Sequence, residues 1–338
     1  METPPQNPDS TITPRARSVA AEVLGAPVES LTVTAVSGGY SRNRRSIVSA
    51  GQSTVFVKEV DIDLLPSEGE EELAWLQKEY QCTTRLREVV PEMVPEYSAI
   101  DPTGHVLVTS AYPAEAGWHW TPPTDPDEAQ KYMRAVIDTV TRLEGVSFDQ
   151  PDIEALKLQP FFRDELAYDD GFELLTHNEA VRTQIIEKLQ AVAQTSPHKL
   201  QFGALIALFE TPAALSAIQQ DARALKDQPN DAFGHCDVRS DNLCYNAGTG
   251  EVKLVDWNWA SYTPKGFGAT EFLNDMARRG YDVSPFLDSV NHALIASLVG
   301  FYAKRCIKDP LAPGNTLREM QAETAALAYD VYLQKGRR

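Results

Sequence analysis

The sequence predicts an α+β protein: a small antiparallel sheet with one helix, followed by a larger, mainly helical part. Three observations predict it. Over residues 30–112 apolar and polar residues alternate in short runs, the period of strands with one buried face. From Asp127 onward apolar residues recur at helical spacing. One stretch, "FGHCDVRSDNLCYN" at 233–246, breaks the helical part with a polar knot that fits neither period. The expected organisation is a disordered N-terminus at 1–13, a sheet lobe at 14–112 and a helical lobe at 113–338.

Taken in order, the Pro-rich start buries too little apolar surface to fold. "PRARSVAAEVLG" reads as a helix capped by Thr13, with Pro14 in its first position and Gly25 as its stop. "LTVTAV", "RRSIVSA" and "STVFVKEV" are strands, the last two joined by the hairpin turn "AGQ". A charged helix follows at about 67–88, then strands "EYSAID" and "HVLVTSAY" around the turn "DPTG". "GWHWTPPTDPDE" is irregular. Helices are expected at "EAQKYMRAVIDTVTRLEG", "NEAVRTQIIEKLQAVAQ" and "TPAALSAIQQDARALKD". After the polar knot come the turn "NAGTG" and the strand "EVKLVDW". Helices "EFLNDMARRG", "FLDSVNHALIASLVGFYAKRC" and a last one from Leu317 complete the chain. No internal repeat appears.

The 338 residues suffice for two lobes with cores of their own, and the composition, 43% hydrophobic and 23% charged, is that of a globular protein. A formal charge of −17 speaks against binding nucleic acid, whose phosphates call for an excess of Lys and Arg. The acidic balance serves solubility and suits a cationic small molecule. Cys82, Cys236, Cys244 and Cys306 form no C-x-x-C pair and read as free thiols. With no signal-peptide pattern at the start and no apolar run of about 18 residues, a cytosolic protein without membrane contact is expected. Oligomeric state is not legible.

The chemistry is concentrated in the knot. Phosphoryl transfer needs a carboxylate to orient a hydroxyl and take its proton, oxygen ligands for a metal, and a cation on the phosphates. His235-x-Asp237, with Asn242 five residues later, places a carboxylate and a neutral oxygen ligand on one loop. Fourteen residues further on, Asp256 ends the apolar run "VKLV". An H-x-D-x-x-x-x-N loop followed by a hydrophobic strand and Asp is the order of protein kinases and their relatives.

"HCDVRSDNLCYN…VKLVDWNWAS" resembles the catalytic core of the aminoglycoside phosphotransferase and choline kinase family, small-molecule kinases with a bilobal protein-kinase-like fold. The likeness extends upstream. "VSGGYSRN" stands where the family has its phosphate loop, "VFVKEV" carries Lys58 on the following strand, Glu79 lies on the next helix, and "MVPEY" resembles the segment after it.

The resemblance implies the following roles. Asp237 is the catalytic carboxylate, and Arg239 stabilises the transferring group. Asn242 and Asp256 hold Mg2+. Lys58 grips the ATP phosphates, held by Glu79, with Glu72 as a rival. Ser37, Gly38, Gly39, Tyr40 and Ser41 cover the phosphates, and Thr109, Ser110, Ala111 and Tyr112 form the adenine hinge. The implied function is ATP- and Mg2+-dependent transfer of the γ-phosphoryl group to a hydroxyl of a small molecule. An aminoglycoside or a similar cation leads; a choline-like, homoserine-like or macrolide acceptor, or a nucleotide-binding pseudokinase, is the alternative. Two positions depart from the family pattern: Cys236 stands where a Gly is usual, and the helix after "DWNWAS" lacks its usual opening Asp, Glu271 being the nearest acid.

Each motif alone also has a plainer reading. "SGGY" is a turn, Lys58 a strand-surface lysine, Glu79 part of a solvated helix face and His235 a brace for the loop. Arg239 has Asp241 as an ion-pair partner in sequence. Trp257 and Trp259, at strand spacing, suit core packing or a sugar site. "DELAYDDGFELL" reads as a solvated acidic face or as a lure for amines. A metal-dependent hydrolase finds no support in six histidines without paired ligand spacing.

Overall fold

The period-two runs over 30–112 form the strands they predict, the inner ones burying apolar side chains against helices. The computed structural model describes residues 12–36, 43–60, 66–158, 171–309 and 314–337. The chain divides into two units, Met1–Pro122 with Asp241–Ala260, and Pro123–Ser240 with Ser261–Arg338.

In the first unit, strands β1 (Thr32–Ala35), β2 (Arg44–Ala50), β3 (Ser53–Glu59), β4 (Ser98–Ile100) and β5 (Val106–Ser110) form an antiparallel sheet in the order β1-β2-β3-β5-β4. Helix α1 (Pro14–Leu24) covers one face. Thr13 caps it, its side chain accepting from the Ala16 N–H, and Gly25 closes it in the left-handed region at φ 61°. The small residues Ala16, Ala20 and Ala21 let α1 settle onto Val48, Val55, Val57, Val106 and Val108. Helix α2 (Pro66–Val89) serves the other face, where Leu76 packs with Val60 and Leu107. Because neighbours along a strand point to opposite faces, Val57 joins the α1 core while Lys58, paired with Leu107, belongs to the α2 face.

The same unit holds a smaller sheet of β6 (Trp118–His119), β8 (Leu243–Asn246) and β9 (Val252–Leu254), in the order β6-β8-β9. Strand β6 falls in the stretch expected to be irregular; its two residues pair with Tyr245 and Asn246, a partner that no local pattern announces. The strand expected over 251–257 stops at Leu254. Asp256 then turns left-handed, and Trp257–Trp259 make a single 3-10 turn. The two tryptophans therefore have no strand spacing: Trp257 is fully buried, and Trp259 packs on Trp75 with ring centroids 5.6 Å apart.

The second unit is mainly helical. It contains α3 (Pro126–Leu143), α4 (Gln150–Ala155), α5 (Phe172–His177), α6 (Glu179–Ala193), α7 (Lys199–Glu210), α8 (Pro212–Arg223), α9 (Phe267–Arg278), α10 (His292–Arg305) and α11 (Leu317–Gly336). Strands β7 (Ala232–Gly234) and β10 (Ser261–Thr263) pair antiparallel. Helices α4, α5 and α7 are absent from the sequence expectation. "KLQFGALIALFE" carries almost no polar residue between its ends and so shows no amphipathic period. Helix α9 is buried along Phe267–Ala277, acids included. Among the described residues, no single helix is long and apolar enough to cross a membrane.

Candidate active site

The sheet-facing stripe of α2 brings Glu72, Leu76, Glu79, Thr83 and Leu86 to one side, all buried. There the Lys58 ammonium donates to Glu79 Oε2 at 2.8 Å and to Asp256 Oδ1 at 2.8 Å. Of the two glutamates weighed against each other in the sequence, Glu79 takes the lysine. The contact with Asp256 joins residues 198 apart in the chain. Burial works against the charge on Lys58, but the carboxylates of Asp256 and Glu79 outweigh it, and its pKa is raised. The lysine is therefore a fixed cation across the physiological range.

Asp256 and Asn242 leave the β8–β9 hairpin side by side. Leu243 pairs with Leu254, and one step further the Val255 N–H donates to the Asn242 carbonyl at 2.9 Å. Asp256 holds φ 66°, a left-handed conformation that costs a non-glycine residue about 1 kcal/mol. Side chains of this pair offer oxygen donors only, the chemistry of a hard cation such as Mg2+. Among the described residues no group of three or more His, Cys, Asp or Glu side chains forms a metal cage. Two protein oxygens fit an ion that draws its other ligands from phosphates and water.

In the second unit, residues 235–240 follow β7. His235 is fully buried, consistent with a brace. Cys236 adopts φ 62°, so this position has the backbone geometry a glycine would take without cost. Asp237 and Arg239 come together, Oδ2 to Nη2 at 3.4 Å, each side chain about a quarter exposed (23%). The loop backbone is held from α9 by two acids one turn apart. The Val238 N–H donates to Glu271 Oε2 at 3.3 Å, and the Ser240 N–H and hydroxyl donate to Asp275 Oδ2 at 3.0 and 2.6 Å.

The two acids ionise differently. Burial, and then the charge of Asp237, push Glu271 up to about 8, so it is protonated at neutral pH. Burial also opposes ionisation of Asp275, but the guanidiniums of Arg278 and Arg279 and the Ser240 donors prevail, holding it well below the usual carboxylate range. Asp275 is thus the charged anchor of the loop. Sequence reading named only Glu271; the signal for Asp275 was a second acid, four residues on along the same helix.

At the end of β5, Thr109 is buried and Ser110 is tied to Tyr97, its N–H donating to the Tyr97 carbonyl and its hydroxyl accepting from the Tyr97 N–H. Ala111 follows, and then Tyr112, whose hydroxyl donates to Glu96 and whose carbonyl accepts from the Trp120 indole at 3.0 Å. Ser37, Gly38, Gly39, Tyr40 and Ser41 lie outside the described residues, as do Asp164, Glu165, Asp169 and Asp170 of the acidic run. Glu173, from the same run, is exposed and pairs with Arg223 and His177.

A five-stranded antiparallel sheet with an inserted helix, a mainly helical second part and a lysine shared by two acids are the features of a protein-kinase-like fold. The model of the phosphotransferase enzyme family matches residues 32–278, and the chain belongs to that family. Its fold is similar to that of choline kinase from Streptococcus pneumoniae, with a TM-score of 0.51 and 11% identity over 93% of this chain and 99% of that one. A protein assigned as an aminoglycoside phosphotransferase from Ralstonia eutropha gives a TM-score of 0.52 and 12% identity over 97% and 99%. No curated protein matches the sequence.

Proposed function

We propose that the chain transfers the γ-phosphoryl group of ATP to a hydroxyl of a small molecule. The observation that carries this reading is the Lys58 ammonium, held at 2.8 Å from both Glu79 and Asp256. A buried lysine between two acids, one from α2 and one past β9, is a ready phosphate ligand. On this reading residues 14–112 are the nucleotide lobe and 113–338 the lobe of the acceptor, with Thr109, Ser110, Ala111 and Tyr112 as the adenine hinge. Ser37, Gly38, Gly39, Tyr40 and Ser41 supply backbone N–H groups to the phosphates.

Asn242 and Asp256 hold Mg2+, which supplies charge neutralisation on the triphosphate. Asp237 orients the acceptor hydroxyl and takes its proton as the oxygen bonds to the γ-phosphorus and the bond to ADP breaks. Arg239 stabilises the charge of the transferring group. The acidic balance of the chain favours a cationic acceptor, an aminoglycoside first, and a cytosolic protein fits the free, buried cysteines.

The test is ADP release with Mg2+ and ATP against a panel of aminoglycosides, choline, homoserine and macrolides. One class is expected to drive turnover, and Asp237→Asn to lower it by roughly 10³-fold while nucleotide binding persists. Undiminished turnover by Asp237→Asn would overturn the mechanism. Nucleotide binding without transfer to any compound would leave a pseudokinase.

A further inference from the structure

The strongest cation near Lys58 is one to which the sequence reading gave no role. Arg45 on β2 stands directly opposite Lys58 on β3, and directly opposed residues of an antiparallel pair share a face, with Cβ atoms about 5 Å apart. Arg44, one step away, is opposite Glu59 and belongs to the other face. After burial, Asp256 and Glu79, the Arg45 charge is the next influence on Lys58, and it acts on Glu79 as well. The guanidinium reaches back along its own strand, Nη1 donating to the Asn43 carbonyl at 3.3 Å.

Charge balance gives this placement a purpose. Lys58 already faces two carboxylates, so before Mg2+ binds its ammonium is largely taken up by them. Arg45 adds a second positive charge to the group. A second observation lies at the same end of β2. Asn43 is 8% exposed, and its Oδ1 has no hydrogen-bond partner among the described residues. A buried acceptor without a donor costs about 1–3 kcal/mol and marks a place where a ligand or its water completes the site.

We propose that Arg45 is a second phosphate-binding residue, its planar fork gripping the terminal phosphates of the nucleotide beside Lys58, with Asn43 Oδ1 accepting from a water bound to the same ligand. This rests on the nucleotide reading given above and adds the group that makes it favourable. A guanidinium offers two parallel donors to a phosphate, which an ammonium already shared between two acids does not.

Calorimetric titration with Mg2+ and ATP, and separately with adenosine, tests it. Relative to wild type, Arg45→Met is expected to weaken ATP at least about tenfold and to leave adenosine unchanged. Arg45→Lys should recover part of the loss, and Arg44→Met, on the opposite face, should show none. The ratio of ATP to adenosine affinity does not depend on the folded fraction, so Arg45→Gln, judged by that ratio, serves if the Met variant folds poorly. If wild type binds ATP and the Arg45 variants keep its ratio, this assignment is overturned and the nucleotide reading stands. A wild-type protein that binds no ATP removes both.

Discussion

Two residues show how the loop at 235–240 trades stability for geometry. Cys236 holds a left-handed backbone that an L side chain adopts at a cost of about 1–2 kcal/mol. Cys236→Gly and Cys236→Ala both lose the sulfur, but only Ala keeps the strain. Denaturant unfolding is expected to find the Gly variant more stable by about 1 kcal/mol, the reverse of their order in a helix. Glu271 makes the second case. Its pKa, raised to about 8, exceeds that of the unfolded chain, so between pH 4.5 and 8 the folded state holds a proton that the unfolded state has released. Stability therefore falls as pH rises through that window, by a few kcal/mol at most. Glu271→Gln mimics the protonated form and keeps an oxygen for the Val238 N–H. Unfolding curves across pH 5–8 should be flatter for the variant, and an unchanged slope would contradict a neutral Glu271.

Elements in the helical unit meet more closely than any side chain would allow. Gly171 caps α5 at φ 79°, and a Cβ there would lie 1.9 Å from the carbonyl oxygen of Gly300 in α10. The obstacle is backbone, which cannot swing aside, and the left-handed conformation adds its own cost. Gly171→Ala is expected to destabilise the protein by more than about 2 kcal/mol, visible as a lower thermal midpoint. At Gly203, on α7, an added Cβ would meet nothing within 4 Å, and Gly203→Ala should be neutral or slightly stabilising in the same measurement.

For the molecule as a whole, a net charge of −17 sets a repulsion that salt screens. Raising NaCl from about 0.05 to 0.5 M should raise the thermal midpoint, whereas a protein governed by its buried ion pairs alone would show little change. Mg2+ with ATP at about 100 times its dissociation constant should add about 2.7 kcal/mol, the stabilisation expected of any ligand that binds only the folded state. The folds of the two solved relatives match this one at 11 and 12% identity. Many apolar sets of the right pattern and volume build one core, so a fold outlives its letters.

Local signals carried much of the architecture. Thr13, Pro14 and Gly25 delimit α1 through groups within one turn of its ends, and the alternation in "STVFVKEV" places Lys58 on a strand face without reference to any partner. That residues 235–242 form a polar loop was equally legible, since their letters fit neither the helical nor the strand period. Tertiary structure decided what depends on contacts distant in sequence: that Glu79 rather than Glu72 meets Lys58, that Asp275 anchors the Ser240 backbone, and that Arg45 faces Lys58 across a ladder. Helix α7 escaped notice because its outer face, with Leu200, Gly203, Ala204 and Ala207 exposed, carries no polar stripe to betray the helical period. Short-range hydrogen bonds and side-chain alternation act within a few residues, whereas burial and charge pairing act through space.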